Sequence, residues 1–148
     1  SFGRDEAGEI DTVIVAFPDA QGRLVGKRVS GRMWRDVVLP HGAEACNYLL
    51  SVDVDLNTVD GYTMSSWETG YGDMLLVPDL TTLRRIPWQP ATALVFADLQ
   101  WESGEAVVQS PRSILDHQRA RLAQHQRLAA HSTSGEGHFD CVSTPATL

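Results

Sequence analysis

The chain has 148 residues, a mass of 16.2 kDa and 43% apolar content, which suits one compact domain with its own core and leaves no room for a second full one. Twelve Lys and Arg against 19 Asp and Glu give a formal charge of −7 and a pI near 5.0, the wrong sign for a phosphate-tracking surface, so nucleic-acid binding is not expected. The longest apolar runs, Met74 to Val77 and Ala93 to Ala97, fall far short of the roughly 20 residues of a membrane-spanning helix, and no basic start followed by an apolar run marks a secretory signal.

In chain order, Asp11 to Phe17 is β-branched and aromatic, Pro18 to Gly22 supplies turn chemistry and Leu24 to Val29 resumes an extended pattern, which predicts a β-hairpin. Gly31 to Val38 spaces Met33, Trp34, Val37 and Val38 as a short amphipathic helix does, closed by Pro40 and Gly42. Asn47 to Val54 reads as a third strand and Asn57 to Gly72 as a long surface loop, whose Tyr62, Trp67 and Tyr71 give it something to bury. Met74 to Val77 is a short buried strand ended by Pro78-Asp79, and a Pro87-Trp88 turn leads into the apolar strand Ala93 to Leu99. Trp101 to Val108 holds a Ser103-Gly104 turn and closes a last small hairpin. Ser110-Pro111 starts a helix with a hydroxyl at the N-cap, and Ile114, Leu115, Gln118, Leu122 and Leu128 mark one face of it. From Ala129 the periodicity is lost, and an irregular tail is expected. The count of strands and helices in mixed order gives an α+β fold without internal repeats.

The negative charge is concentrated. Asp36, Glu44, Asp53, Asp55, Asp60, Glu68, Asp73 and Asp79 follow one another with no Lys or Arg before Arg84, whereas the other segments hold 11 acids and 12 bases. Such a segment attracts a metal, an amine, an ammonium ion or a basic partner surface, or is simply a solvated acidic face. Asp53, Asp55 and Asp60 straddle the end of the expected third strand and the start of the loop. Asp53 and Asp55 would share one side of an extended chain. Three readings stay open there: a small cation site, a pH-tuned carboxylate pair, or turn-forming aspartates.

Other motifs carry less. Gly22 to Arg28 has the wrong glycine spacing and no Ser or Thr after Lys27 for a phosphate-binding loop, and Gly70-Tyr71-Gly72 lacks a third glycine while Asp73 would repel a pyrophosphate. His131, His138 and Cys141 lack the paired spacing of a zinc site, and no Gly-x-Ser-x-Gly elbow is present. Cys46 and Cys141 lie far apart and read as thiols of a reducing compartment, so a cytoplasmic location is the expectation. The chain opens on Ser1 without Met, which reads as a truncated N-terminus.

Taken together and in order, Asp19-Ala20-Gln21-Gly22-Arg23 with Lys27-Arg28, Gly72-Asp73-Met74-Leu75-Leu76-Val77-Pro78-Asp79-Leu80-Thr81-Thr82, Pro87-Trp88, Asp98 and Ser110-Pro111-Arg112 resemble the N-terminal domain of the glutamine synthetase family. The similarity runs from about Ile10 to Leu128, and Asn47 to Gly72 looks more like the γ-glutamyl-amine ligase branch than the housekeeping enzyme. The resemblance implies a β-grasp-like mixed sheet over residues 10–110, a helix over 111–128 leading toward a catalytic domain absent from this chain, and an irregular tail over 129–148.

It further implies an ATP-dependent ligase with Mg²⁺ or Mn²⁺ that joins ammonia or another amine to the γ-carboxylate of glutamate through a γ-glutamyl phosphate. The active sites of such rings form between neighbouring subunits, and the small domain lends an acidic loop to the catalytic domain next door. An Asp of that loop helps bind and deprotonate the ammonium, which assigns the catalytic role here to Asp53, Asp55 and Asp60 as a group, with Trp67 as loop anchor. The housekeeping Phe-Asp-Gly-Ser-Ser is Val59-Asp60-Gly61-Tyr62-Thr63 in this sequence, and a competing alignment places the Asp at Asp53 or Asp55. Where the family has a Glu-x-Glu strand of metal ligands, this chain has Ser132 to Asp140, so no cofactor is expected on the chain alone and it is expected to be inactive by itself. The alternative is a non-catalytic β-grasp module that docks on another protein.

Overall fold

The computed structural model describes residues 10–59, 61–62 and 72–132. The chain divides into two compact units, Ser1–Leu115 and Asp116–Leu148. The first holds one sheet of five strands in the order β2-β1-β5-β4-β3, formed by β1 (Thr12–Pro18), β2 (Leu24–Ser30), β3 (Ala43–Cys46), β4 (Asp73–Arg85) and β5 (Thr92–Trp101). β1 and β5 are parallel at the centre and every other pair is antiparallel, which makes the sheet mixed and the domain α+β and β-grasp-like.

The pleat explains the core. Val13, Val15 and Phe17 of β1, Val95, Ala97 and Leu99 of β5, and Met74 and Leu76 of β4 alternate along their strands and are buried. Against them pack Trp34 and Val38, one turn apart on a helical segment made of an α turn (Gly31–Met33), a π turn (Trp34–Val38) and a second α turn (Leu39–His41). Ser30 caps this segment by accepting from the Met33 N–H at 3.2 Å, and Gly42, at φ 79°, ends it in a conformation that glycine adopts without strain. Of the four apolar positions expected on its inner face, Trp34 and Val38 face the core, whereas Met33 and Val37 are exposed.

The first hairpin and β5 match the sequence expectation. The middle of the chain differs. The third strand is Ala43–Cys46, and the Asn47–Leu50 stretch is a 3₁₀ turn that buries Leu50 rather than a strand. β4 does not stop at Pro78. That residue lies beyond the last β3 pair, Ala43↔Leu76, where β4 borders the sheet and a missing N–H is tolerated. A bulge then falls between Asp79 and Arg84, and the Thr82 hydroxyl bridges it by donating to the Asp79 carbonyl (2.7 Å) and accepting from the Phe96 N–H (2.9 Å). The small hairpin after β5 forms as expected, with Gln100 opposite Ala106 and Gly104 at φ 84°.

The last helix is Pro111–Ser132, four residues longer than the expected end at Leu128; residues 133–148 lie outside the described ones. Its first turn is held by an ion triad rather than by the expected hydroxyl cap. The Ser110 Oγ is buried with no hydrogen-bond partner among the described residues, while Arg112 donates through Nε to Asp98 and through Nη2 to Asp79, both at 2.7 Å, with its guanidinium 5.9 Å from the Phe96 ring centre. Ile114, Leu115 and Leu122 on the expected apolar face are exposed.

Close backbone approach constrains one position above others. A Cβ at Gly26, opposite Ala16 in the hairpin, would lie 2.0 Å from the Val15 carbonyl oxygen and 2.7 Å from the Ala16 Cα, and both are backbone atoms that cannot move aside. Gly26→Ala is expected to lower the unfolding free energy by about 3 kcal/mol or more, read as a fall in the urea midpoint.

Candidate functional site

The acidic segment is placed by the β1–β2 turn, thirty residues away in sequence. Asp19 starts that turn, and its side chain points inward and is fully covered. One carboxylate oxygen accepts from the Gln21 N–H (3.0 Å) and the Arg23 N–H (2.8 Å), and the other from Arg23 Nε (2.7 Å). The turn is closed by backbone bonds from Gly22 N to the Asp19 carbonyl and from Asp19 N to the Arg23 carbonyl, with Gly22 at φ 81°. Burial alone would raise the Asp19 pKa. The N–H groups and guanidinium of Arg23, with the Gln21 N–H, outweigh it and hold the carboxyl below its ordinary value.

With Nε committed to Asp19, the other two nitrogens of Arg23 reach across to the backbone of the acidic segment. Nη1 donates to the Val54 carbonyl at 2.5 Å and Nη2 to the Asp53 carbonyl at 3.0 Å, while Gln21 Nε2 donates to the Val52 carbonyl at 2.9 Å. Three successive carbonyls are thereby fixed from one turn. A planar guanidinium can make such bonds in parallel, which an ammonium on a flexible stem cannot.

Within the segment, Val52 pairs with Thr58, the Asp53 N–H donates to the Asn57 carbonyl at 2.9 Å, and the Leu56 N–H donates to the Asp53 carbonyl at 3.1 Å. The Asp53 carboxylate accepts from the N–H groups of Asp55 and Asn57, both at 2.9 Å, and from the Asn57 side-chain amide at 3.1 Å. These bonds, Asn57's first, lower its pKa, and the Arg23 charge adds to the effect. Asp53 therefore caps its own turn, and Asp53 and Asp55 share a tight loop rather than one side of an extended strand. Asp55 stands exposed, and among the described residues its carboxylate has no ion pair. Val54, Leu56, Val59 and Tyr62 around it are exposed large apolar side chains, and Leu56 sits at φ 67°, a left-handed conformation that the surrounding bonds hold in place.

Asp60, Trp67, His138 and Cys141 lie outside the described residues. Elsewhere the acidic run is less bare than it reads: Asp79 is paired with Arg112 and Asp36 with Arg32, by bases from outside the run. Asp73 meets the Cys46 thiol at 3.7 Å, and burial, with Asp73 beside it, raises that thiol's pKa. Among the described residues no three His, Cys, Asp or Glu side chains form a metal ligand set, so the chain's described part does not fit the divalent cation expected of the family, and no step is derived through it or through a nucleotide. Asp19, Gln21 and Arg23 were not legible as site residues, since an aspartate before a glycine reads as plain turn chemistry.

Comparison with known proteins gives this arrangement its family. The chain is 57% identical over 130 residues to gamma-glutamylethanolamide synthetase GlnA4 of Streptomyces coelicolor, a match that covers 88% of this chain and 28% of that protein. It is 37% identical over 110 residues to a glutamate–isopropylamine ligase of a Pseudomonas species, covering 74% of this chain and 24% of that one. A crystal structure titled as a novel glutamine synthase homolog shares the fold at a TM-score of 0.64 and 21% identity, over 82% of this chain and 28% of its own. No family model matches the chain. It nevertheless belongs, on these likenesses, to the glutamine synthetase family, among relatives that are γ-glutamyl-amine ligases. The chain spans about a quarter of the length of these relatives.

The carboxylates tie the loop geometry to pH. Asp19, Asp53 and Asp79 all have lowered pKa values in the fold, so the stability they contribute is present above the ordinary carboxylate value of 3.8 and is lost as pH falls through the lower folded values. Asp19→Asn is expected to cost about 2 kcal/mol at neutral pH, because a covered carboxylate that accepts three hydrogen bonds gives way to an amide whose NH2 faces donors. Urea unfolding between pH 7 and pH 2 should show a shallower acid decline in this variant than in the parent.

Proposed function

We propose that this chain is the amine-handling wall of a glutamate–amine ligase, lending the acidic segment of Asp53, Asp55 and Asp60 to a catalytic domain of the same or a neighbouring subunit in a ring. The observation that carries the reading is the pairing of 57% identity to a gamma-glutamylethanolamide synthetase with an exposed Asp55, without an ion pair among the described residues, on a loop that is fixed from behind.

The chemistry needed of such a wall is limited. An ammonium or alkylammonium ion must be drawn in, held and stripped of one proton before its nitrogen can act as a nucleophile. Anionic side chains facing solvent supply the attraction. In open water an aspartate is too weak a base to take that proton. Once a second protein surface covers the loop, loss of water penalises both the carboxylate and the ammonium, their pKa values approach one another, and transfer becomes feasible. The exposed Val54, Leu56, Val59 and Tyr62 suit burial against such a surface. On this reading the nucleotide, the divalent metal and the glutamate pocket belong to the catalytic domain.

Replacing the matching segment of the Streptomyces coelicolor relative with residues 10–115 tests the proposal. The chimera is expected to condense glutamate with ethanolamine, and Asp55→Asn in it to lower kcat/KM for the amine by about 10²-fold with the KM for glutamate unchanged. Asp53→Asn and Asp60→Asn are expected to act on the same parameter. An active chimera whose amine kinetics ignore all three substitutions would instead favour a docking module without a catalytic part.

A further inference from the structure

Arg23 holds the acidic segment by its backbone carbonyls. Its Nε pairs with Asp19, which is fully covered, while Nη1 and Nη2 bind the carbonyls of Val54 and Asp53 and, among the described residues, no carboxylate of the segment. The side chain is one-third exposed, so its position comes from these bonds and not from packing on every side. An arginine that instead paired with Asp55 would cancel the field that an ammonium ion feels. Bonds to carbonyls fix the backbone and leave the carboxylate facing outward. Gln21 adds the third bond, to Val52, from the same turn.

We propose that Arg23 is a positioning residue for amine capture: oriented by Asp19, it fixes the backbone of Val52–Val54 so that Asp55 is presented to the amine, and amine affinity depends on it while glutamate affinity does not. The proposal rests on the functional reading above and adds to it a residue that touches neither substrate. Its physical basis is preorganisation. A carboxylate whose backbone is already fixed loses less freedom when it binds a small cation, and a displacement of about 1 Å at such a site is enough to cost about 10²-fold in rate.

Two readouts test it. In the full chain, hydrogen exchange should show the Asp55 and Asn57 amides, both donors to Asp53, exchanging about tenfold faster in Arg23→Met than in the parent, without denaturant and at a pH where the central-strand amides of Val15 and Val95, which follow global unfolding, remain far slower than either of them. In the chimeric ligase, Arg23→Met should raise the KM for ethanolamine about tenfold and leave the KM for glutamate within about twofold. Arg23→Lys, which keeps the charge but lacks the planar fork, should behave like Arg23→Met. A loss of folded enzyme would lower kcat with every substrate and move neither KM. Arg32→Met removes a surface cation paired with Asp36, far from these carbonyls in the bonding pattern, and should leave both KM values as they are.

Unchanged exchange at Asp55 and Asn57 in Arg23→Met overturns the proposal. So does an unchanged ethanolamine KM in that variant when Asp55→Asn raises it, or rescue by Arg23→Lys, which would assign Arg23 a charge effect alone. If Asp55→Asn too leaves amine kinetics untouched, this proposal falls, and if Asp53→Asn and Asp60→Asn are silent as well the functional reading itself fails, an outcome that the three variants separate from the others.

Discussion

A buried carboxylate, Asp19, decides where Arg23 points, and Arg23 decides where the backbone of the acidic segment lies. Removing a carboxylate from water is costly unless it is both paired and hydrogen-bonded, and Asp19 meets both conditions with three donors, two of them from Arg23. Its burial leaves Arg23 with one orientation that satisfies Asp19, and in that orientation the remaining nitrogens meet the carbonyls of Asp53 and Val54. A left-handed Leu56 and an outward Asp55 are downstream of this choice. The hairpin that carries Asp19 is in turn fixed by β1, whose Val13, Val15 and Phe17 are part of the core.

The same logic, acids held by bases distant in sequence, recurs on β4 and β5. Arg112 draws Asp79 and Asp98 together from two neighbouring strands and so sets the start of the last helix against the sheet. Asp79 also accepts from the Thr81 N–H and hydroxyl, which shapes the bulge that interrupts β4. Two of the acids in the run from Asp36 to Asp79 are thus absorbed by the architecture, at Asp36 and Asp79, and a third, Asp53, is turned to the service of its own loop. Asp55 stays available, and this division of labour among similar side chains is what separates a solvated acidic face from a surface able to receive a cation.

Much of the fold was legible because it follows from local pattern. The alternation of β1 and β5, the turn chemistry after Pro18, the Pro111 helix start and the α+β class are each carried by a few neighbouring residues. What was misjudged depends on contacts between distant residues. Asn47 to Val54 is apolar enough for a strand, yet Leu50 and Val52 reach the core from a 3₁₀ turn and a single bridge. Pro78 reads as a stop, and only the short β3 beside it shows why β4 can pass through. At the site, the turn-forming alternative for Asp53 was readable from its neighbours, whereas the clamp from Asp19 and Arg23 spans thirty residues and carries no local signature beyond an aspartate, a glycine and an arginine in a turn. The family likeness supplies the amine chemistry, which the described geometry by itself does not name.

The dependence of the segment on the Asp19–Arg23 pair is tested most directly by a double-mutant cycle on unfolding free energy, with Asp19→Asn, Arg23→Met and both together. The account predicts a coupling energy of about 1.5 kcal/mol or more, since loss of Arg23 leaves the covered Asp19 carboxylate without its charged partner and loss of that carboxylate frees the Arg23 side chain from its orientation. Effects that add within about 0.5 kcal/mol would show two independent side chains and contradict it.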